Sequence, residues 1–257
     1  SEKEDGENIG DYAFGHCPEL TGVYLPGSTA GIGKRPFASV PKLTGIGFVG
    51  ETAASGGNPA QNRGDNYLSE YGIIYKLENG TKDSIVQCLE ARGAFENGIG
   101  SSDIEAKELA GINSIAEEAF MNCDNLELID LTDSNVTNIP EFCFSDSDHL
   151  WNVSLPPTCT RVDDFAFKDT LLRRLRVPNM YTIFTNFAFY DSDEAGNVKH
   201  DVEVRTMKGS TVEERAKIYS KYGWRVSDAY INMICVTVFQ DENGNVIAER
   251  RVEEGEA

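Results

Sequence analysis

Phenylalanine recurs along this chain at a set distance from aliphatic partners. Anchors stand at Phe14, Phe37, Phe120, Phe144, Phe167 and Phe189. Five positions before each comes an apolar residue: Ile9, Ile32, Ile115, Ile139, Val162 and Phe184. Six positions after come Leu20, Leu43, Leu126 and Leu150, and nine after come Val23, Ile46, Ile129 and Val153. The copy after Phe167 is one residue shorter and offers Leu172 and Leu175. Where two copies abut, successive anchors lie 22 to 24 residues apart. Neither the period of an amphipathic helix nor the alternation of one long strand produces this spacing. A self-similarity of that length is the mark of a solenoid.

The geometry behind the period is simple. Each coil runs up one side, turns, and returns so that the next coil stacks on it. The apolar-x-apolar run near the end of each unit alternates inward and outward, as a short strand does. Stacking pairs these strands into a parallel sheet with rungs about 4.8 Å apart. Proline follows at Pro26, Pro156 and Pro178, where its missing N–H stops the ladder. The phenylalanines fill the far side, where the chain curves back. One coil buries too little apolar surface to stand alone, so stability comes from its neighbours.

The run "IGDYAFGHCPELTGVYLP", Ile9 to Pro26, resembles the BspA-type leucine-rich repeat. The resemblance covers Ile9 to Phe48 and about Ile112 to Ser210. It implies a leucine-rich repeat solenoid: a right-handed coil with one parallel β-sheet face, short helices or turns elsewhere, and a secreted or cell-surface location. Family members are implied to bind host or neighbouring-cell molecules.

Between the two blocks, about 49–111, the pattern lapses. "GETAASGGNPAQNRGDN" has the composition of an exposed loop. Two apolar stretches around Asn79-Gly80 then predict a hairpin, similar to insertions seen within this repeat family. Ala94-Phe95 copies the anchor dipeptide, but Glu90 lies five before it, so the match is coincidental. The solenoid is expected to continue here with one degraded rung.

After the last anchor, "DVEVRTMKGS" offers a closing strand with Val202 and Val204 inward. A capping helix over about 211–222 follows, with Thr211 as N-cap, Glu214 completing a capping box, and Gly223 as terminator. Residues 1–223 thus form the repeat domain. In 224–257, alternation through Cys235 to Phe239, a turn at Asn243-Gly244 and a return to Val252 predict a β-hairpin. It looks like the opening of a Listeria–Bacteroides repeat, either cut short or packed as an extra cap.

Charge narrows the partners. The formal net charge of -19 excludes nucleic acid and anionic lipid as natural partners, since both require a basic surface. No apolar run approaches a membrane span. The opening "SEKEDGENIGDYAF" contains no signal peptide, so the chain reads as a piece of a longer extracellular protein, lacking its leader and its anchor. A monomer is expected. The six cysteines at 17, 88, 123, 143, 159 and 235 have no zinc-module spacing. Cys17 and Cys123 hold matching repeat positions and are expected to be buried, reduced thiols.

Catalytic motifs fail one by one. "GSTAGIGKR" breaks the phosphate-loop pattern at Ser28 and Arg35. "DSDEAG" from Asp191 begins like a calcium loop but offers Ala195 and Val202 where ligands belong. His16, His149 and His200 are scattered, and Ser147, Asp148 and His149 are neighbours on a turn. A glycosidase pair among the carboxylates is not selected by anything. Asn79, Asn135 and Asn152 begin glycosylation sequons, which matter only in a eukaryotic secretory pathway. No cofactor, metal or catalytic residue is assigned.

Binding is better motivated. The outward column of the sheet is expected to read Tyr24, Gly47, Asp130, Ser154, Arg176 and Glu203. With Arg174, the candidates for ligand contact are Tyr24, Asp130, Ser154, Arg174 and Arg176. "LLRRLRVP" concentrates arginine on an acidic chain. That suits either an anion or carbohydrate site at Arg174 and Arg176, or a plain ion pair between Arg176 and Glu203. The expected function is adhesion or ligand binding toward a protein or glycan of a host or neighbouring cell. The alternatives are a passive spacer and, further off, a carbohydrate-active enzyme.

Overall fold

A computed structural model describes residues 8–49, 61–93, 100–189, 202–219, 225–227, 233–240 and 246–253. It is a β-solenoid. Strands Asp103–Ile104, Leu128–Asp130, Asn152–Ser154, Arg174–Val177, Glu203–Thr206 and Arg225–Val226 pair in parallel as a six-stranded front sheet. Behind it, Asn138–Ile139, Arg161–Val162 and Ile183–Phe184 form a second parallel ladder. Ile104, Ile129, Val153, Leu175 and Val204 line up across the front rungs, and all are buried. Fully burying one such side chain contributes about 1.5–3 kcal/mol.

The anchors stack as the period requires. Ring centroids lie 5.2 Å apart from Phe120 to Phe144, 5.3 Å to Phe167 and 5.0 Å to Phe189. Their backbones are laced together too. The amides of Phe120, Phe144 and Phe167 donate to the carbonyls of Cys143, Ala166 and Ala188 at 2.8–2.9 Å. Tight corners flank the anchors from Phe14 to Phe167: the residues two before and two after each adopt positive φ, as at Glu118 and Asn122, Phe142 and Asp146, Phe165 and Asp169.

The expected single sheet face is divided. Gly22–Pro26 and Gly45–Val49 make a separate two-stranded front sheet over their own core, which contains Phe37, Leu43 and Ile46. Phe14 stacks on Phe37 at 5.2 Å. The insertion separates this pair from the main stack. It is more than a hairpin: Gln61–Arg63, Tyr67–Glu70, Ile73–Glu78 and Thr81–Cys88 form an antiparallel meander. Gln61–Arg63 thus leaves the expected loop and joins a sheet. Positive φ at both Asn79 and Gly80 gives the mirror-image turn that a two-residue hairpin favours.

The last strand of the meander re-enters the solenoid, Ile85 pairing in parallel with Ile115. Cys88 then takes the anchor position, its amide donating to Ala119 O at 2.6 Å. Ile104 closes the rung in front. This is the degraded coil, and its corner has three steps from Ile85 to Cys88 where other coils have five. At that corner two side chains replace backbone. Phe37 N donates to Gln87 Oε1 at 3.2 Å, and Ser39 N donates to Glu90 Oε1 at 2.8 Å. Arg35 bridges Glu90 at 3.3 Å and Glu118 at 3.7 Å, and Lys34 reaches Glu117 and Glu118.

At the other end, helix Thr211–Tyr219 buries Val212 and Ala216 in the main core. The cap sits one residue earlier than expected. Ser210 Oγ accepts from Glu213 N at 3.0 Å, and Glu213 in turn accepts from Gly209 N at 2.6 Å. Thr211 is instead pinned to the preceding coil, its hydroxyl against the carbonyls of Met180 and Thr182. Strands Met233–Gln240 and Val246–Glu253 pair antiparallel, as the alternation predicts. Ala94-Phe95, the acidic turn from Asp191, His200, Gly223 and the Asn243-Gly244 turn lie outside the described residues. Cys88, Cys123, Cys143 and Cys159 are buried free thiols, and burial holds the Cys159 thiol up at about 12. Cys17 is exposed, contrary to the expectation from its repeat position.

Candidate functional site

Residues flanking each inward position of the front sheet point outward and form two columns. One runs Asp130, Ser154, Arg176, Arg205; the other runs Asp103, Leu128, Asn152, Arg174, Glu203, Arg225. The expected pairing of Arg176 with Glu203 is therefore wrong by one pair of residues. Val202 and Val204 are both buried, as expected, but the inward residues beside Leu175 and Val177 are Val204 and Thr206. Thr206 is tolerated inside because its hydroxyl bonds Val177 O at 3.0 Å and meets Ser210 Oγ at 3.0 Å. Consequently Arg205 stands beside Arg176. Glu203 stands between Arg174 and Arg225, with Arg225 Nη2 4.0 Å from its Oε2.

These residues enclose a hollow of about 320 Å³ on the outward face, lined by Asn152, Ser154, Arg174, Arg176, Glu203 and Arg205, with Leu175 and Ser227 completing it. The Arg174 guanidinium lies over the Trp151 ring, 5.5 Å from its centroid, which orients it. Of the five expected contact residues, Ser154, Arg174 and Arg176 come together here. Asp130 occupies the next rung, but its carboxylate accepts from Thr132 N at 2.9 Å and Thr132 Oγ1 at 2.7 Å, closing a local turn. Tyr24 belongs to the other front sheet. It is 77% exposed and lies across Gly47, where an added methyl carbon would fall 2.5 Å from its ring. Arg205, Asn152 and Ser227 escaped sequence reasoning; Asn152 could have been found by counting the second outward column.

A second hollow of about 520 Å³ opens where the degraded coil leaves a gap, between His16, Ser39, Glu90, Asn122, Asp124 and Asn125. Burial pushes the carboxyls of Glu90 and Asp124 above the usual carboxylate range. Glu90 is committed to Ser39 N and Arg35, so this hollow is a seam between coils. Ser147 is structural as well: its hydroxyl donates to Phe120 O at 2.7 Å and accepts from Cys123 N at 3.1 Å, bolting two rungs together. Among the described residues no three His, Cys, Asp or Glu side chains cluster to hold a metal. Nor is any described helix long and apolar enough to cross a membrane.

Residues 3–57 and 83–212 match, in six copies, the family model of the BspA type leucine rich repeat region. Among solved structures the chain is similar to a leucine rich cell surface protein from Faecalibacterium prausnitzii A2-165. The two are 23% identical with a TM-score of 0.44, over 74% of this chain and 52% of that one. It is also similar to the pneumococcal vaccine antigen PcpA, at 13% identity and a TM-score of 0.48, over 90% of this chain and 60% of that one. The chain thus spans about half to three-fifths of the length of these two proteins. No curated protein sequence matches it.

Proposed function

The chain belongs to the BspA-type leucine-rich repeat family, and from that membership and the make-up of its front sheet we propose that it is a non-catalytic recognition module of a cell-surface protein. Its partner is a protein or glycan of a host or neighbouring cell, met on the outward face of the six-stranded sheet. One observation carries this reading. On a chain of net charge -19, guanidinium groups gather on the outward face around a hollow. Arg174 and Arg205 are exposed and Arg176 is half-buried, so a partner docking on this face meets their guanidinium groups directly. Solenoids of this kind offer extended faces suited to such contacts.

The test is a binding screen of the purified chain against host matrix proteins and a glycan array. A ligand bound through this face should lose at least tenfold in affinity in Ser154→Trp, which fills the hollow. Lys168→Ala, on the anchor side of the coil, should leave binding unchanged. An empty screen, with binding found in other parts of the longer protein, would replace this reading by that of a passive spacer.

A further inference from the structure

We propose that Tyr24 is a stacking platform for a neutral pyranose, one sugar unit of an uncharged oligosaccharide lying against its ring. The site belongs to the two-stranded front sheet, away from the hollow of the six-stranded one, and so goes beyond the recognition face described above.

Glycine builds the platform. The outward positions of Gly22–Pro26 and Gly45–Val49 pair as Gly22 with Gly45, Tyr24 with Gly47 and Pro26 with Val49. Val23, Leu25, Ile46 and Phe48, which alternate with them, belong to the core beneath. The Tyr24 ring leans on the bare backbone of Gly47. A carbon added to Gly47 would fall 2.5, 2.6 and 3.6 Å from three carbons of that ring, its three nearest neighbours. With 77% of the residue exposed, the rest of the ring is open to solvent. The fold therefore gains little burial from it. Nor does Tyr24 make a hydrogen bond, ion pair or ring contact with any described residue, so its hydroxyl is available to a ligand.

Charge and area select the occupant. The chain is 25% charged with a net charge of -19, yet none of these six outward residues carries a charge. An acidic glycan would be repelled by the chain around the patch, and a cationic one would find no carboxylate on it. Five residues at about 3.3 Å rise on two strands about 4.8 Å apart span roughly 16 by 10 Å. That is room for a sugar ring or two, and far short of the about 800 Å² per partner that a stable protein interface buries. A second copy of this chain is thereby disfavoured. A pyranose with equatorial hydroxyls points its C–H bonds above and below the ring, where they meet the negative face of an aromatic ring. Its hydroxyls lie at the rim, within reach of a phenol group.

Amide NMR of the 257-residue chain, titrated with cellohexaose, chitohexaose and a heparin oligosaccharide, reads the site directly. A neutral probe should shift the amides of Tyr24, Gly45 and Gly47 saturably and leave those of Arg174–Val177 in place. Heparin should bind there at least about tenfold more weakly. Tyr24→Ala should weaken binding about tenfold, as removal of a stacked aromatic does, and Tyr24→Leu nearly as much, while Tyr24→Phe should stay within about threefold of wild type. Gly47→Ala should weaken binding as Tyr24→Ala does and keep the thermal midpoint, because only the Tyr24 ring has to move. That contrast separates the platform from the fold. Wild-type affinity in Tyr24→Ala, Tyr24→Leu or Gly47→Ala, equal binding of heparin at these amides, or no shift with any probe would overturn the proposal. So would sedimentation showing dimers that Tyr24→Ala dissolves, since the occupant would then be a second copy. Ser154→Trp should leave the shifts unchanged. Their loss in that variant would move the saccharide to the other sheet and sink the platform, while the recognition face there would stand.

Discussion

Two stretches of the same solenoid solve one problem differently. From Phe120 to Phe189 each coil passes its hydrogen bonds to the next through backbone, anchor amide to the carbonyl before the following anchor, and the rings pile up at about 5 Å. Between Phe37 and Cys88 the same two positions are joined by Gln87 and Glu90 side chains. The bond pattern is conserved in kind while its donors meet side-chain oxygens in place of carbonyls. A backbone rung tolerates any residue; a side-chain rung depends on two particular ones. The hydrogen-bond rungs of the main stack are therefore indifferent to side-chain identity, while those at the splice are sequence-specific.

The sharpest break of this comparison is in the aromatic file. Phe144 is fully buried with a ring on each face, so Phe144→Ala should cost about 3–5 kcal/mol in denaturant titration. Phe14 is half-buried and stacked on one side, and Phe14→Ala should cost roughly 1 kcal/mol, about half a phenylalanine's burial value. Equal losses would show that both rings see the same surroundings and that the file is continuous.

Next in size is the splice. Gln87 is 1% exposed, and Gln87→Leu keeps its bulk while removing the acceptor of Phe37 N–H. A buried donor left without a partner costs about 1–3 kcal/mol. The loss should be local. Amide exchange should quicken across 8–49 and stay slow from Phe120 to Phe167, because the first two coils have their own core. A uniform rise along the whole chain would mean that the two stacks open as one.

The main stack was legible because its signal is periodic and apolar: most inward positions are aliphatic or aromatic residues at a near-constant distance from a phenylalanine. What stayed hidden depends on polar groups placed where the pattern expects none. Val202 and Val204 are inward as their alternation suggests, but Thr206 continues the inward series, so the register was read two residues early and Glu203 was put where Arg205 belongs. Ser210, not Thr211, caps the helix because Thr211 is drawn away to Met180 and Thr182. The corners were silent for another reason. Phe142, Phe165 and Glu118 hold positive φ without glycine; the stacking of rings at 4.9 Å between Phe142 and Phe165 is one visible compensation. Half of the candidate site followed from counting alternation along strands. Its depth came from register, which needs the neighbouring rung.

The smallest effect is one of pH, and it also distinguishes the two stretches. Burial raises the Glu90 carboxyl above its ordinary value, against the opposing bonds from Ser39 N and the Arg35 charge; burial raises Asp124 as well, helped by the charge of Asp148. An acid whose folded pKa exceeds its unfolded one takes up protons more readily when folded. Its contribution to stability is fully present below the unfolded value, about 4.3 for glutamate and 3.9 for aspartate, and is lost as pH rises through the folded value. The seam beside the first two coils should therefore tighten as pH falls from 7 toward about 5, whereas the Phe120–Phe167 file, whose bonds are backbone to backbone, should hardly respond. Amide exchange of 8–49, corrected for the intrinsic pH dependence of exchange, reads this directly. Glu90→Gln keeps an oxygen facing Ser39 N while removing the titrating proton, so it should flatten the slope without abolishing protection. A slope of the same size in Glu90→Gln would assign the response to Asp124 or to the chain's overall charge, and the splice would then be a matter of geometry alone.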